Sequence, residues 1–113
     1  MQKIEFIKMH GLGNDFVIID RRKNNVEINK DIIQKLSDRR TGAGCDQVIT
    51  VDKNISSDYD ARIQIFNPNG DNAEACGNGT RCVAKLLFDE KNITNLKLQS
   101  LAGILNAQKI TMK

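Results

Sequence analysis

The run Val83-Ala84-Lys85-Leu86-Leu87-Phe88, entered through Cys76-Gly77-Asn78-Gly79-Thr80-Arg81-Cys82, constrains the fold of this chain more than any other segment. Its pattern predicts a helix from about Asn78 to Asp89 or Glu90. Cys82, Val83, Ala84, Leu86, Leu87 and Phe88 cover more than one face of that helix, so it must be buried on most of its sides. The other segments read mainly as strands. The simplest architecture is therefore α+β, a curved and mostly antiparallel sheet wrapped around this central helix. A chain of 113 residues, 40% of them hydrophobic, suffices for one domain with a real core. With four Phe, one Tyr and no Trp, Ile, Leu and Val must fill it.

Local patterns supply the strands. Ile4 to Met9 reads as the first, broken by the turn residues Gly11-Leu12-Gly13-Asn14-Asp15. Phe16-Val17-Ile18-Ile19-Asp20 is β-branched and reads as buried. A helix capped by Asn29 or Asp31 puts Ile32, Ile33 and Leu36 on one face and is expected to end at Thr41-Gly42. Further strands are expected at Gln47–Val51, Ala61–Phe66, Leu96–Ser100 and Ile104–Met112, with hairpin-length links. The last is strand-like to its end, which suggests one half of a longer protein.

Charge and composition narrow the function classes. The formal net charge of +3 is spread along the chain, without the dense basic run of a nucleic-acid or membrane surface. The nearest cluster, Arg21-Arg22-Lys23, reads as a solvated turn. No apolar stretch approaches the roughly 18 residues of a membrane span, and the first residues lack the form of a signal peptide. Three cysteines, an odd number, fit reduced thiols in the cytoplasm better than a disulfide framework.

Cys76 directly precedes the predicted helix. Unpaired N–H groups and the positive end of the helix dipole favour an anion there, whether a thiolate or a carboxylate. A thiol so placed loses its proton more readily than a free cysteine, whose pKa is about 8.5. On spacing alone, a chemical role and an inert helix-start cysteine both remain open. Glycine and asparagine cluster in three loops, at 11–15, 41–47 and 67–79, which could meet at one end of the sheet and grip a small zwitterion through amides. Neither Gly11-Leu12-Gly13 nor Thr41-Gly42-Ala43-Gly44 completes a nucleotide-binding fingerprint. Cys45, Cys76, Cys82 and His10 lack zinc-site spacing, so no metal is expected. Cys82 reads as a small core residue, and Cys45 as structural or incidental, in a glycine loop that could leave it partly exposed. His10 reads as structural.

Three segments together resemble the diaminopimelate epimerase family, cofactor-independent isomerases of lysine and peptidoglycan precursor synthesis. They are Lys8-Met9-His10-Gly11-Leu12-Gly13-Asn14-Asp15-Phe16, Arg40-Thr41-Gly42-Ala43-Gly44-Cys45-Asp46-Gln47, and Phe66-Asn67 through Cys82. The resemblance implies a two-base mechanism in which one cysteine thiolate removes an α-proton and a second cysteine returns one on the opposite face. It makes Cys76 one of the two catalytic groups. It makes Asn14, Gln47 and Asn67 substrate contacts, and gives the α-carboxylate to the backbone N–H groups of Gly77 and Asn78. No cofactor and no metal are implied. The partner is a small molecule, diaminopimelate, with neither nucleic acid nor membrane, and a homodimer is compatible.

Two departures stand out. Where the family carries an acidic-Gly-Ser/Thr-Glu run, this chain reads Asn69-Gly70-Asp71-Asn72. In this family the partner cysteine comes from a second, similar domain, which residues 1–113 are not expected to contain, so this half alone is expected to have no appreciable epimerase activity. Proline racemases and phenazine-biosynthesis isomerases share the implied fold, but the former usually carry His at the Asn78 position and the latter lack the cysteine pair. Two other classes stay open: an amino-acid-binding module that keeps the pocket without catalysis, and a cysteine-nucleophile enzyme with His10 as its base.

Overall fold

A computed structural model of the chain describes residues 3–11, 13–23, 25–73 and 77–109. Three hairpins and two helices alternate along it. β1 (Ile7–Gly11) pairs antiparallel with β2 (Asn14–Asp20), α1 (Lys30–Ser37) follows, and β3 (Gln47–Lys53) pairs antiparallel with β4 (Ala61–Phe66). The two-residue β5 (Asn72–Ala73) adds to β4 before α2 (Gly77–Lys91). β6 (Asn95–Ser100) and β7 (Gly103–Gln108) form the last hairpin. The sheet runs β1-β2-β3-β4-β6-β7.

The expected hairpin-length links hold inside each hairpin, but the hairpins themselves are joined by crossovers. β2 runs parallel to β3 and β4 runs parallel to β6, so each helix bridges a parallel pair. Both steps go the same way across the sheet, yet β2 and β4 point in opposite senses. Right-handed crossovers then require the helices to lie on opposite faces.

Side-chain alternation carries that out. Phe16 and Ile18 of β2 join Ile49 and Val51 of β3, Ile63 and Ile65 of β4, and Leu96 and Leu98 of β6 under α2, against Val83, Leu87 and Phe88. Val17, Ile19 and Val48 point the other way, toward Ile33 of α1. β2 is thus buried on both faces, which is why its pattern is a continuous apolar run. α2 is the central helix expected from its composition, save one exposed stripe, Arg81, Lys85 and Asp89, at helical spacing.

Several boundaries moved for identifiable reasons. β1 begins three residues later and ends two residues later than its hydrophobes suggest because its partner sets its limits, from Ile7 opposite Ile18 to Gly11 opposite Asn14. α1 begins as expected, with the Asn29 side chain accepting the Ile32 N–H at 2.9 Å. It ends at Ser37 rather than Gly42, because Asp38 turns extended. The backbone N–H groups of Gly42 and Gly44 then fold back to donate to the carbonyls of Asp38 and Leu36, each at 2.9 Å.

The first two residues of Arg21-Arg22-Lys23 are not a solvated turn. Arg21 grips Asp52 through two hydrogen bonds of 2.7 and 2.9 Å. Arg22 pairs with both Asp20 and Glu90, which ties the end of α2 to the end of β2. The strand expected to reach Met112 is described as far as Gln108, and residues 110–113 lie outside the described part. Among the described residues, no helix is long and apolar enough to cross a membrane.

Candidate functional site

One end of the sheet gathers the polar residues that the sequence singles out. Asn14 opens β2 and Gln47 opens the parallel β3, so both stand at the same edge. Asn67 follows the last residue of β4, next to that edge, because Phe66 pairs with Val48. α2 starts there too. A helix can come so near the strands because Gly79 carries no side chain: a Cβ at that position would lie 2.7 Å from Ile49 Cδ1 and 3.2 Å from Phe16 Cε1. The glycine therefore presses the first turn of α2 onto β2 and β3, and Asn78 reaches Asn14.

The contacts form a row of amides. The Asn78 side-chain N–H donates to Asn14 Oδ1 at 3.0 Å, and the Asn14 N–H donates to Asp46 Oδ2 at 3.3 Å. Beside them, Gln47 Nε2 donates to Asn67 Oδ1 at 3.2 Å. Four of the expected substrate contacts, Asn14, Gln47, Asn67 and Asn78, are thus placed in two hydrogen-bonded pairs. Gly77 is the first residue of α2, so its N–H belongs to the helix end. Cys76, the expected catalytic residue, lies outside the described residues.

An ionic network under this row was not foreseen. Arg39 holds Asp15 with two bonds of 2.9 and 2.8 Å and reaches Asp46 at 3.1 Å. The Asp46 N–H donates to Asp15 Oδ1 at 2.9 Å, the Asp15 N–H donates to Asp46 Oδ2 at 3.0 Å, and Lys8 Nζ lies 3.3 Å from Asp15. The start of β2 and the loop after α1 are therefore laced together by charge-assisted bonds. The available sequence signal was an acid adjoining each of two amides, Asp15 after Asn14 and Asp46 before Gln47.

The Arg39 side chain holds the Asp15 carboxyl well below the ordinary carboxylate range, against the opposing effect of burial, with the Asp46 N–H and Lys8 adding to it. A depressed folded-state pKa gives stability that is present above the unfolded value, about 3.9, and lost as pH falls through the folded one. Asp15→Asn is accordingly expected to cost about 2 kcal/mol at pH 7 in urea melts. Its gap to the wild type should close as the pH is lowered from about 4 toward 2. A gap independent of pH would show that the carboxylate charge is not what holds the loops.

Cys45 is buried at 3% exposure, not partly exposed as its glycine-rich loop suggests, since it packs under α1 with Ile33 and Val48. Burial pushes its thiol up. Cys82 is a buried core residue of α2, as expected. His10 is exposed on β1 and lines a cleft of about 490 Å³ together with Asn14, Asp15, Arg39 and Asp46. Hollows of about 550 and 830 Å³ lie along β7; the first reaches Arg81 beside the amide row, but no amide of the row lines either, so the concentration of polar groups marks the candidate site better than volume does.

Comparison with known proteins bears on the family and the fold. The sequence profile of the family described as diaminopimelate epimerase matches residues 6–111. Diaminopimelate epimerases from Zymomonas mobilis and Gluconobacter oxydans are 45% and 44% identical, over 91% and 90% of this chain. The matches span 36% and 38% of those two proteins, so the chain covers little more than a third of its curated relatives' length.

Among solved structures, a hydroxyproline epimerase from Agrobacterium vitis aligns with TM-score 0.67 at 18% identity, covering 89% of this chain and 35% of that one. A methylitaconate-delta-isomerase aligns with TM-score 0.73 at 12% identity, covering 97% and 61%. At such identities these two likenesses concern the fold. The sequence match along nearly the whole chain, joined to that fold, shows that this chain belongs to the diaminopimelate epimerase family.

Proposed function

We propose that this chain is the Cys76-bearing half of a cofactor-independent amino-acid epimerase that interconverts LL- and meso-diaminopimelate. The observation that carries the reading is the convergence of Asn14, Gln47, Asn67 and Asn78 on one sheet end, where α2 begins. A zwitterionic substrate suits such a place. Its α-carboxylate meets the first N–H groups of α2, those of Gly77 and Asn78, and the amide side chains satisfy its remaining polar groups.

The chemistry follows from the charge that develops. Removing the α-proton leaves a carbanion beside a carboxylate, so negative charge builds where negative charge already stands. Fixed N–H donors and the helix end stabilise it without a cofactor. In this reading Cys76 as thiolate takes the proton on one face. A second group, as thiol, delivers a proton to the other face, and the two exchange protonation states with each turnover. Cys45 and Cys82 are buried in the cores under α1 and α2, which fits neither for the second role. The second acid–base group is therefore assigned to a further domain, in keeping with the share of the relatives that the chain spans.

The test is isotope exchange in the complete protein that carries this chain. Given LL-diaminopimelate in D2O and no added cofactor, it is expected to form the meso isomer with deuterium at the inverted α-carbon. The 113-residue chain alone is expected to show no turnover. Failure of the complete protein to exchange the α-proton would overturn the assignment.

A further inference from the structure

The amide row ends on two ionic side chains whose chemistry leaves no choice of direction. A carboxylate only accepts hydrogen bonds and a guanidinium only donates them. Asp46 Oδ2 takes an N–H from Asn14, so Asn14 must turn its oxygen toward Asn78, from which it accepts at 3.0 Å. At the other end Arg81 Nη1 donates to Asn78 Oδ1 at 3.0 Å. That contact demands the same orientation of Asn78 that Asn14 requires. Flipping either amide would set donor against donor, or acceptor against acceptor, at one of these bonds. Arg39 and the Asp15 N–H in turn hold Asp46. The neighbouring Gln47–Asn67 pair has no such ionic anchor among the described residues.

We infer that Asp46 and Arg81 are positioning residues that lock Asn14 and Asn78 with their oxygens engaged and their amide N–H groups offered to the substrate, so that this pair selects a carboxylate over an ammonium. Each NH2 donates one of its two hydrogens within the row, and the second has no acceptor among the described residues. A lone pair also remains on each oxygen, but at Asn78 it lies beside the Arg81 guanidinium, which repels an ammonium. The inference rests on the reading that Asn14 and Asn78 face the substrate. Asp46 and Arg81 act through the amides and touch no reacting atom.

Arg81 gives the cleaner test, because it is exposed and its replacement does not strain the core. Arg81→Gln puts a group that can donate or accept where a donor-only group stood. Arg81→Lys keeps a donor, and suffices for a single bond where it would not for a two-pronged one. In the complete protein, Arg81→Gln is expected to raise KM for LL-diaminopimelate about tenfold while kcat changes less than about threefold, and Arg81→Lys to restore most of the loss. In ligand-free protein the 15N side-chain amide signals of Asn78 and Asn14 should move in Arg81→Gln and stay closer to wild type in Arg81→Lys.

An active Arg81→Gln variant with unchanged KM overturns the lock, as does a lysine variant as impaired as the glutamine one. If the wild type exchanges no diaminopimelate, the functional reading fails separately. The amide signals then decide the lock alone: their persistence unmoved in Arg81→Gln overturns it.

Discussion

Cys76→Ser in the complete protein is expected to lower the rate of LL-to-meso interconversion by about 10³-fold or more, with substrate still bound. General acid–base groups contribute about 10²–10⁴-fold, and here one group must serve as base in one direction and acid in the other. The exchange of sulfur for oxygen barely alters shape, but it replaces a thiol whose free pKa is about 8.5 by a hydroxyl that does not ionise near neutrality. Deuterium incorporation at the α-carbon measures the loss directly. Residual activity above about a tenth of wild type would remove Cys76 from the mechanism, being far less than a base contributes.

Alkylation against pH supplies an independent reading of the same residue. Cys45 and Cys82, at 3% and 6% exposure, are expected to react slowly. Burial raises the Cys45 thiol further out of range at neutral pH. Rapid labelling confined to Cys76, and slowed by diaminopimelate, would mark a preformed site. Equal labelling of all three would mean that Cys76 gains nothing from preceding α2.

Gly42→Ala is expected to be the most damaging single-methyl change in the chain. A Cβ at Gly42 would lie 1.9 Å from the Lys35 carbonyl oxygen and 2.9 Å from that of Leu36. These are backbone atoms of the last turns of α1, so no rotamer change relieves the clash. The loop must lift, and with it go the N–H bonds from Gly42 and Gly44 that satisfy the end of α1. Overpacking and the lost bonds together are expected to cost about 3 kcal/mol or more. For a domain of this size that is a fall in Tm of roughly 12 °C or more.

The same loop carries Arg39 and Asp46, so the clasp on Asp15 should loosen as well. Gly77→Ala is the control, since an added Cβ there meets nothing within 4 Å among the described residues, and its stability should stay within about 0.5 kcal/mol of wild type. Equal melting temperatures for Gly42→Ala and wild type would overturn the close packing of this loop.

The sequence by itself determined the fold class, the burial of α2 and most of the strands, while the residues of the amide row were singled out by its resemblance to a family. The fold class, the helix burial and the strands depend on local patterns: the continuous apolar run Phe16–Ile19, the Asn29 cap and the turn at Asn67-Pro68-Asn69-Gly70. Each is decided by neighbours a few residues away, and such information is linear.

Only the tertiary structure decided how these pieces join. Two parallel pairs place α1 and α2 on opposite faces, which no hairpin pattern foretells. The limits of β1 came from its partner β2. The pairing of Arg21 with Asp52 and of Arg22 with Glu90 spans 31 and 68 residues, and Asn78 reaches Asn14 across 64. The clasp of Asp15, Arg39 and Asp46 closes over 24 and 31 residues. A charged or amide side chain looks the same in sequence whether water or a distant partner completes its hydrogen bonds. Which of the two it meets is settled when the chain closes and one end of the sheet brings those groups within about 3 Å.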